Sequence, residues 1–335
     1  MTQPLLSIII PVYNAQKYLQ ECFESILKQS FCDYEVVIVN DGSVDGSEEI
    51  CKAFVARDDR FRLFTTENCG VSHARNFGME RADGQWIMFL DSDDYLLEES
   101  LERMMALADE ETQEICANYF SEHRYEYKGM QENIPAEHVI RMMLDPVNNQ
   151  LLPEFYHLEC ATLLGVWGKL FRKDLIEKYH LRFDERLKLS EDMLFHLHYL
   201  SKISYVRLAD CPVFYYRQHE ASVTRNFKEE HLANRYYLFE QLKKIDRMDA
   251  VFVISTMLQL AGHVEKTTAG EEKKALRRKL RRFWKEHREL LREGSKKVLS
   301  AGKWQSKVYK ICVRLLLLHL YLLEEAVLWT YAKIS

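Results

Sequence analysis

Four apolar runs of strand length, each separated from the next by a stretch with helical spacing, constrain this chain more than any single residue does. Leu6–Val12 is a continuous β-branched run closed by Pro11 and Asn14, and 34–39 and 86–90 read the same way; 61–65 is a shorter strand. Between them, 17–29 places apolar residues at Leu19, Cys22, Phe23, Ile26 and Leu27, which predicts a helix. The Gly42-Ser43-Val44-Asp45-Gly46-Ser47 loop supplies a cap for a second helix over Ser47–Arg57, and Gly70 opens a third that runs to Arg81. Strand and helix alternating through short connections is the signature of an open, mostly parallel α/β sheet flanked by helices. Runs without polar alternation are strands covered on both faces. In such sheets ligands bind at the carboxyl ends of the strands. Asn14, Asp41 and Asp91 all fall at that edge, which places them at one shared site.

The last of these strands ends in Asp91-Ser92-Asp93-Asp94. Three carboxylates in four residues repel one another, and a divalent cation removes the repulsion; hard oxygen ligands suit Mg²⁺ or Mn²⁺. A solvated acidic turn is the bland alternative for such a tetrapeptide alone. No GxGxxG follows the first strand and no Walker lysine motif occurs, which disfavours a dinucleotide or P-loop site. Arg75, on the Gly70 helix, is placed to reach an anion or to form a surface ion pair. The eight cysteines are scattered with no CxxC pair, so a zinc site is not expected and free thiols in a reducing cytosol fit best. Met1-Thr2-Gln3-Pro4 passes straight into a strand without a basic n-region, which argues against a secretory leader. Further along, 101–108 predicts a helix, 119–127 an edge strand and 213–217 a short aromatic strand. Ser190 precedes Glu191-Asp192 and an apolar helical stretch, and is positioned to cap it, with the acids at its positive end.

Ser7-Ile8-Ile9-Ile10-Pro11-Val12-Tyr13-Asn14, Val39-Asn40-Asp41-Gly42-Ser43, Ala74-Arg75-Asn76 and Asp91-Ser92-Asp93-Asp94, in this order, resemble the motifs of the family-2 glycosyltransferases of the GT-A fold. The resemblance is specific over about residues 5–100. It continues more loosely through Trp167-Gly168-Lys169-Leu170-Phe171, Glu191-Asp192 and Tyr215-Tyr216-Arg217 to about 226. It implies a catalytic domain over 1–226, with a nucleotide-binding half at about 1–100 and an acceptor half at about 101–226. It implies inverting transfer of a sugar from a nucleotide donor, most often a UDP-sugar, in the building of cell-surface polysaccharide. Pro11, Tyr13, Asn14 and Asp41 would cradle the nucleoside, with Ser43, Arg75, Asp91 and Ser92 beside them in the donor motifs. Asp91 and Asp93 match the DXD positions, Asp93 as the direct ligand of Mn²⁺ or Mg²⁺. Glu191-Asp192 matches the ED motif, with Asp192 as general base. His219 stands where some GT-A enzymes take a further metal ligand, or is a plain loop histidine. Lys169 and Arg217 could touch the donor diphosphate or the acceptor, and Trp167 could stack on a sugar or belong to the core. Two rivals stay open: a sugar nucleotidyltransferase and a non-catalytic scaffold subunit of the same fold.

The remaining segment, 227–335, predicts a helical C-terminal region. The overall net charge of −5 hides an asymmetry: 271–335 carries 17 basic and 7 acidic side chains, a net of +10, and 1–270 a net of −15. The stretch 298–329, with Leu315 to Leu318 at its centre, is interrupted by Arg314, His319, Glu324 and Glu325, which leaves it short of the ~20 apolar residues a membrane span requires. A basic helical tail suggests peripheral binding to an anionic membrane on its cytoplasmic face. That location fits a glycan or lipid-linked acceptor. A helical bundle with a solvated basic face, or an oligomer contact, is the alternative; no nucleic-acid-binding motif is present.

Overall fold

The computed structural model describes residues 3–120, 131–144, 165–217, 229–245 and single positions between 270 and 293. The strands are β1 (Leu6–Val12), β2 (Tyr34–Asp41), β3 (Phe61–Thr66), β4 (Trp86–Phe89), β5 (Tyr95–Leu96), β6 (Glu114–Phe120), β7 (Gln131–Pro135), β8 (Lys169–Arg172) and β9 (Tyr205–Tyr215). The described helices are α1 (Leu19–Leu27), α2 (Ser47–Arg57), α3 (Val71–Arg81), α4 (Ser100–Met105), α5 (Ala136–Leu144), α6 (Lys173–Lys178), α7 (Glu191–Leu200) and α8 (Glu229–Lys244). Packing divides the chain into one unit of Met1–Ile140 with Leu152–His219 and another of Arg141–Leu151 with Glu220–Ser335. No described helix is long and apolar enough to cross a membrane.

The nine strands among the described residues form one sheet in the order β3-β2-β1-β4-β8-β6-β9-β5, with β7 also on β9. Its first four strands are parallel, as the strand–helix alternation predicts. β1 and β2 are buried at every position because helices cover both faces. Leu6, Ile8, Ile10 and Val12 face one way, against Leu19, Cys22, Phe23 and Ile26 of α1 and Cys51 and Phe54 of α2. Ile9, Val37, Val39, Ile87 and Phe89 face the other way, against Ala74 and Met79 of α3 and Phe195 and Tyr199 of α7. The two-residue strand period and the helical period meet in these two cores.

The second half departs from the sequence reading. Of the edge strand expected at 119–127 only Tyr119 and Phe120 are described, as the end of β6, which has β8 antiparallel on one side and β9 parallel on the other; 121–130 lies outside the described residues. The expected short strand at 213–217 is the end of the eleven-residue β9. β8 enters the sheet antiparallel beside β4, with Ile87 opposite Phe171. That insertion is what brings α7 beside the carboxyl edge of β4. α7 then rests on an aromatic bed, with Phe195 stacked on Phe183 at 4.2 Å and edge-on to Phe89 at 5.9 Å.

Candidate active site

The loops after β1 and β2 are stitched together. Asn14 adopts φ 49°, its N–H donates to Ser43 Oγ at 3.0 Å, and its Oδ1 accepts the Val44 N–H at 2.9 Å. The Gln16 N–H donates to Asp45 at 3.1 Å, and the Gly46 N–H to Gln16 Oε1 at 2.9 Å. Asn14 tolerates the left-handed region better than most residues, so the chain turns there with little strain. Tyr13, 51% exposed, is left open at this edge, whereas Pro11 lies buried within β1. Asp41 is buried and occupied: its oxygens accept the Cys69 and Gly70 N–H groups at 2.9 and 2.7 Å, which builds the turn into α3.

The loop after β4 carries the acidic cluster. One oxygen each of Asp91, Asp93 and Asp94 lie within 4.8 Å of one another, while Ser92 is half-buried between them. Asp94 is buried, and burial first, then the charges of Asp91 and Asp93, push its carboxyl up to about 9. Three carboxyl oxygens this close, one of them on a buried acid, are an arrangement that a divalent cation would relieve, so the residues present fit Mg²⁺ or Mn²⁺. Arg217 holds the loop from below: its N–H donates to Asp94 Oδ1 and its Nε–H to the Asp93 carbonyl, both at 2.9 Å.

Arg75 ties this loop to α7. It is 3% exposed. Its Nη2 donates to Asp91 Oδ1 at 2.8 Å and its Nη1 to Glu191 Oε1 at 3.0 Å, while the guanidinium lies 5.4 Å from the centre of the Phe183 ring. Next to Glu191, Asp192 is pushed up to about 7, by burial first and the Glu191 charge second, with Arg75 holding it down. Ser190 is the residue before α7, but it sits at φ 64° and makes no side-chain cap; Asp192 Oδ1 accepts the Met193 N–H instead. The expected Ser190 cap is therefore corrected, because a left-handed N-cap turns the hydroxyl away from the first-turn N–H groups.

Asp91, Asp93, Arg75, Glu191 and Asp192 thus come together, with Asn14, Ser43 and Asp41 at the neighbouring loops. His219 lies outside the described residues. Lys169 does not face the site: it is fully buried and donates to the Gly165 carbonyl at 2.8 Å. Sequence reasoning missed the Arg75–Glu191 bridge, which spans more than a hundred residues, and the Trp167 indole, which donates to Asp91 Oδ2 at 2.8 Å. No local signal encodes either, since both depend on where β8 enters the sheet.

The sequence model of the family described as Glycosyl transferase family 2 matches residues 7–172. EpsH of Bacillus subtilis (strain 168), named as a glycosyltransferase, is 31% identical over 253 residues, covering 72% of this chain and 68% of EpsH. The glycosyltransferase GlyG of Streptococcus pneumoniae serotype 4 is 31% identical over 228 residues, 66% of this chain and 73% of GlyG. Among solved structures, residues 1–349 of TarS from S. aureus in complex with UDP-GlcNAc superpose with a TM-score of 0.55 at 18% identity, covering 98% of this chain and 90% of that one. At that identity the likeness is one of fold, the GT-A fold. The motifs gathered around the carboxyl edge of the parallel strands and the similarity to EpsH over most of both chains lead to one conclusion: the chain is a glycosyltransferase of family 2.

Proposed function

We propose that this enzyme moves a sugar, with inversion, from a UDP-sugar to a hydroxyl of a glycan or lipid-linked acceptor in cell-surface polysaccharide synthesis. The observation that carries the proposal is the Arg75 bridge, because it joins an acidic cluster suited to a metal–diphosphate to a helix end bearing a carboxyl of raised pKa. TarS supports the donor class, since its structure contains UDP-GlcNAc. Tyr13, Asn14, Asp41 and Ser43 form the nucleoside end, directly or by shaping the loops. Asp93, with Asp91 beside it, holds the cation. Bound there, Mn²⁺ or Mg²⁺ would neutralise charge on the departing diphosphate.

Asp192 acts as general base. It takes the proton of the acceptor hydroxyl as that oxygen bonds to the anomeric carbon, and the bond from that carbon to the diphosphate oxygen breaks on the opposite face. The proton ends on Asp192, the electron pair on UDP, and the sugar on the acceptor with its anomeric configuration inverted. A raised pKa matches this task, because a carboxylate made more basic by burial and by the Glu191 charge accepts the proton more readily. The basic 271–335 segment, most of it outside the described residues, is proposed to rest on the anionic cytoplasmic face of the membrane.

The test is UDP release from a panel of UDP-, GDP- and dTDP-sugars, in MnCl₂ and in EDTA. Release from a UDP-sugar that stops in EDTA and in Asp192→Asn supports the reading. Release that survives both removes the metal and the base from the scheme. Deleting 271–335 without reducing sedimentation with anionic vesicles would remove the membrane.

A further inference from the structure

Asp91 is held from two sides, and only one of them is used in the scheme above. Opposite Arg75, the indole N–H of Trp167 donates to Asp91 Oδ2 at 2.8 Å. The backbone around Trp167 is shaped to put it there. A Cβ at Gly165 would stand 2.4 Å from the six-membered ring of the indole, so the ring lies directly against bare backbone. Gly168 sits at φ +60°, and a Cβ there would meet the Ala117 carbonyl oxygen at 2.9 Å and the Phe214 ring at 3.1 Å. The buried Lys169 ammonium closes the bend by donating to the Gly165 carbonyl at 2.8 Å, and it also hydrogen-bonds the Cys116 side chain. The Ala117 N–H donates to the Gly168 carbonyl at 2.8 Å, which pins the bend to β6. Burying an ammonium is costly, so a bend that uses one is a bend whose geometry is fixed. Trp167 itself stays partly exposed at the carboxyl edge, its ring 5.9 Å from that of Tyr216. Packing alone does not require an indole N–H aimed at the acidic loop.

We propose that Trp167 is a positioning residue of the donor end of the site: its indole N–H, presented by the 165–169 bend, fixes the rotamer of Asp91 against Arg75 and so sets how Asp91 meets the nucleotide and its cation. The proposal rests on the transferase reading. With both carboxylate oxygens already bonded to protein donors, Asp91 is a pre-oriented group at the donor end of the site.

Trp167→Phe keeps most of the ring volume and removes the N–H. Gly165→Ala keeps the N–H but drives a methyl group into the indole. Both are compared with the wild-type full chain by calorimetric titration with UDP, GDP and dTDP in MnCl₂, by the kcat and KM of nucleotide release, and by thermal unfolding. Trp167→Phe is expected to weaken UDP binding roughly tenfold, the scale of one hydrogen bond to a charged group, while its Tm stays within about 3 °C of wild type. Gly165→Ala weakens binding in the same direction. In an Asp91→Asn background the Trp167→Phe change adds less than about twofold, because its partner is already altered. If Trp167→Phe binds UDP as the wild type does, or loses the same factor in the Asp91→Asn background, Trp167 does not act through Asp91. If the wild type binds none of the nucleotides, the transferase reading itself falls, a result distinct from a wild type that binds and a variant that matches it.

Discussion

Replacing Arg75 by Met tests the centre of the site, because it removes the one cation that α3 places between two acids. Arg75 is 3% exposed, and its partners Asp91 and Glu191 have side chains 26% and 11% exposed. A hydrogen bond to a charged group is worth about 1.5–3 kcal/mol. Asp91 keeps Trp167 and some solvent, so its loss belongs at the low end, and that of Glu191 nearer the top. Together they give about 4 kcal/mol, within the 3–5 kcal/mol that breaking a buried pair costs. For a unit of this size that lowers Tm by about 12 °C.

The loss depends on pH, with a definite sign. Asp192 is raised from 3.8 to about 7, and Arg75 is what restrains it, so the variant moves it higher. A folded pKa above the unfolded one means that ionisation opposes folding: the cost is absent below about pH 4, grows as pH rises towards the folded value and levels off above it. Urea unfolding of wild type and Arg75→Met at pH 5.5 and pH 8 should therefore show the deficit shrinking at the lower pH. The acidic limb of the transfer rate should move to higher pH, because the base needs more alkaline solution to ionise. A deficit under about 1 kcal/mol, or one that does not change between the two pH values, would refute the bridge as the organising contact.

Two further substitutions probe the acids singly. Asp192→Asn should cut transfer by at least about 10²-fold while UDP affinity, measured by calorimetry, stays within about twofold, because the base meets the acceptor and not the nucleotide. Asp94, held at about 9 without a cation, opposes folding increasingly from about pH 4 to pH 9; Asp94→Asn should therefore be more stable than wild type at pH 8 in EDTA, and an unchanged urea midpoint would count against that assignment.

How much of this was legible in the sequence follows from how local each feature is. β1, β2, β4 and the helices between them were readable because each is a single run with its own period, joined to the next by a short turn. The carboxyl-edge placement of Asn14, Asp41 and Asp91 came with them. β8 and β9 were not readable as sheet partners, since antiparallel entry of Lys169–Arg172 beside β4 is a contact between segments some eighty residues apart. The same distance hid the role of Arg75. α3 has a weak polar–apolar division, so nothing in 71–81 distinguishes a buried arginine from a surface one; the neighbours that bury it, Asp91, Phe183 and Glu191, all come from other segments. Lys169 misled for the converse reason: a lysine in an apolar run suggested a ligand-facing charge, and the fold used it to close a bend.

Asn76 extends this argument to the side chain next to Arg75. Its Nδ2 donates to the Phe183 carbonyl and its Oδ1 accepts the Phe183 N–H, at 3.0 and 2.8 Å. Asn76 is therefore a two-sided bracket on the segment that leads into α7, while Arg75 holds the start of α7 itself. Neither bond touches the loops after β1 and β2. Asn76→Ala loses both of these hydrogen bonds and the one from Nδ2 to Glu185 Oε1, about 3 kcal/mol of stability, and frees the base-bearing end of the site without disturbing the nucleoside end. Its kinetic signature should be a kcat lowered by about tenfold or more with UDP affinity nearly unchanged, since a base displaced by about an ångström is a transition-state defect and not a binding defect. Asn76→Asp is the sharper variant. It can still accept the Phe183 N–H, but it sets a carboxylate oxygen against the Phe183 carbonyl and near the Glu185 carboxylate, where the amide N–H₂ now donates to both. If Asn76→Asp kept its kcat, the bracket would not govern the base, and the approach of α7 to the donor would have to be set by Arg75 and the aromatic bed alone.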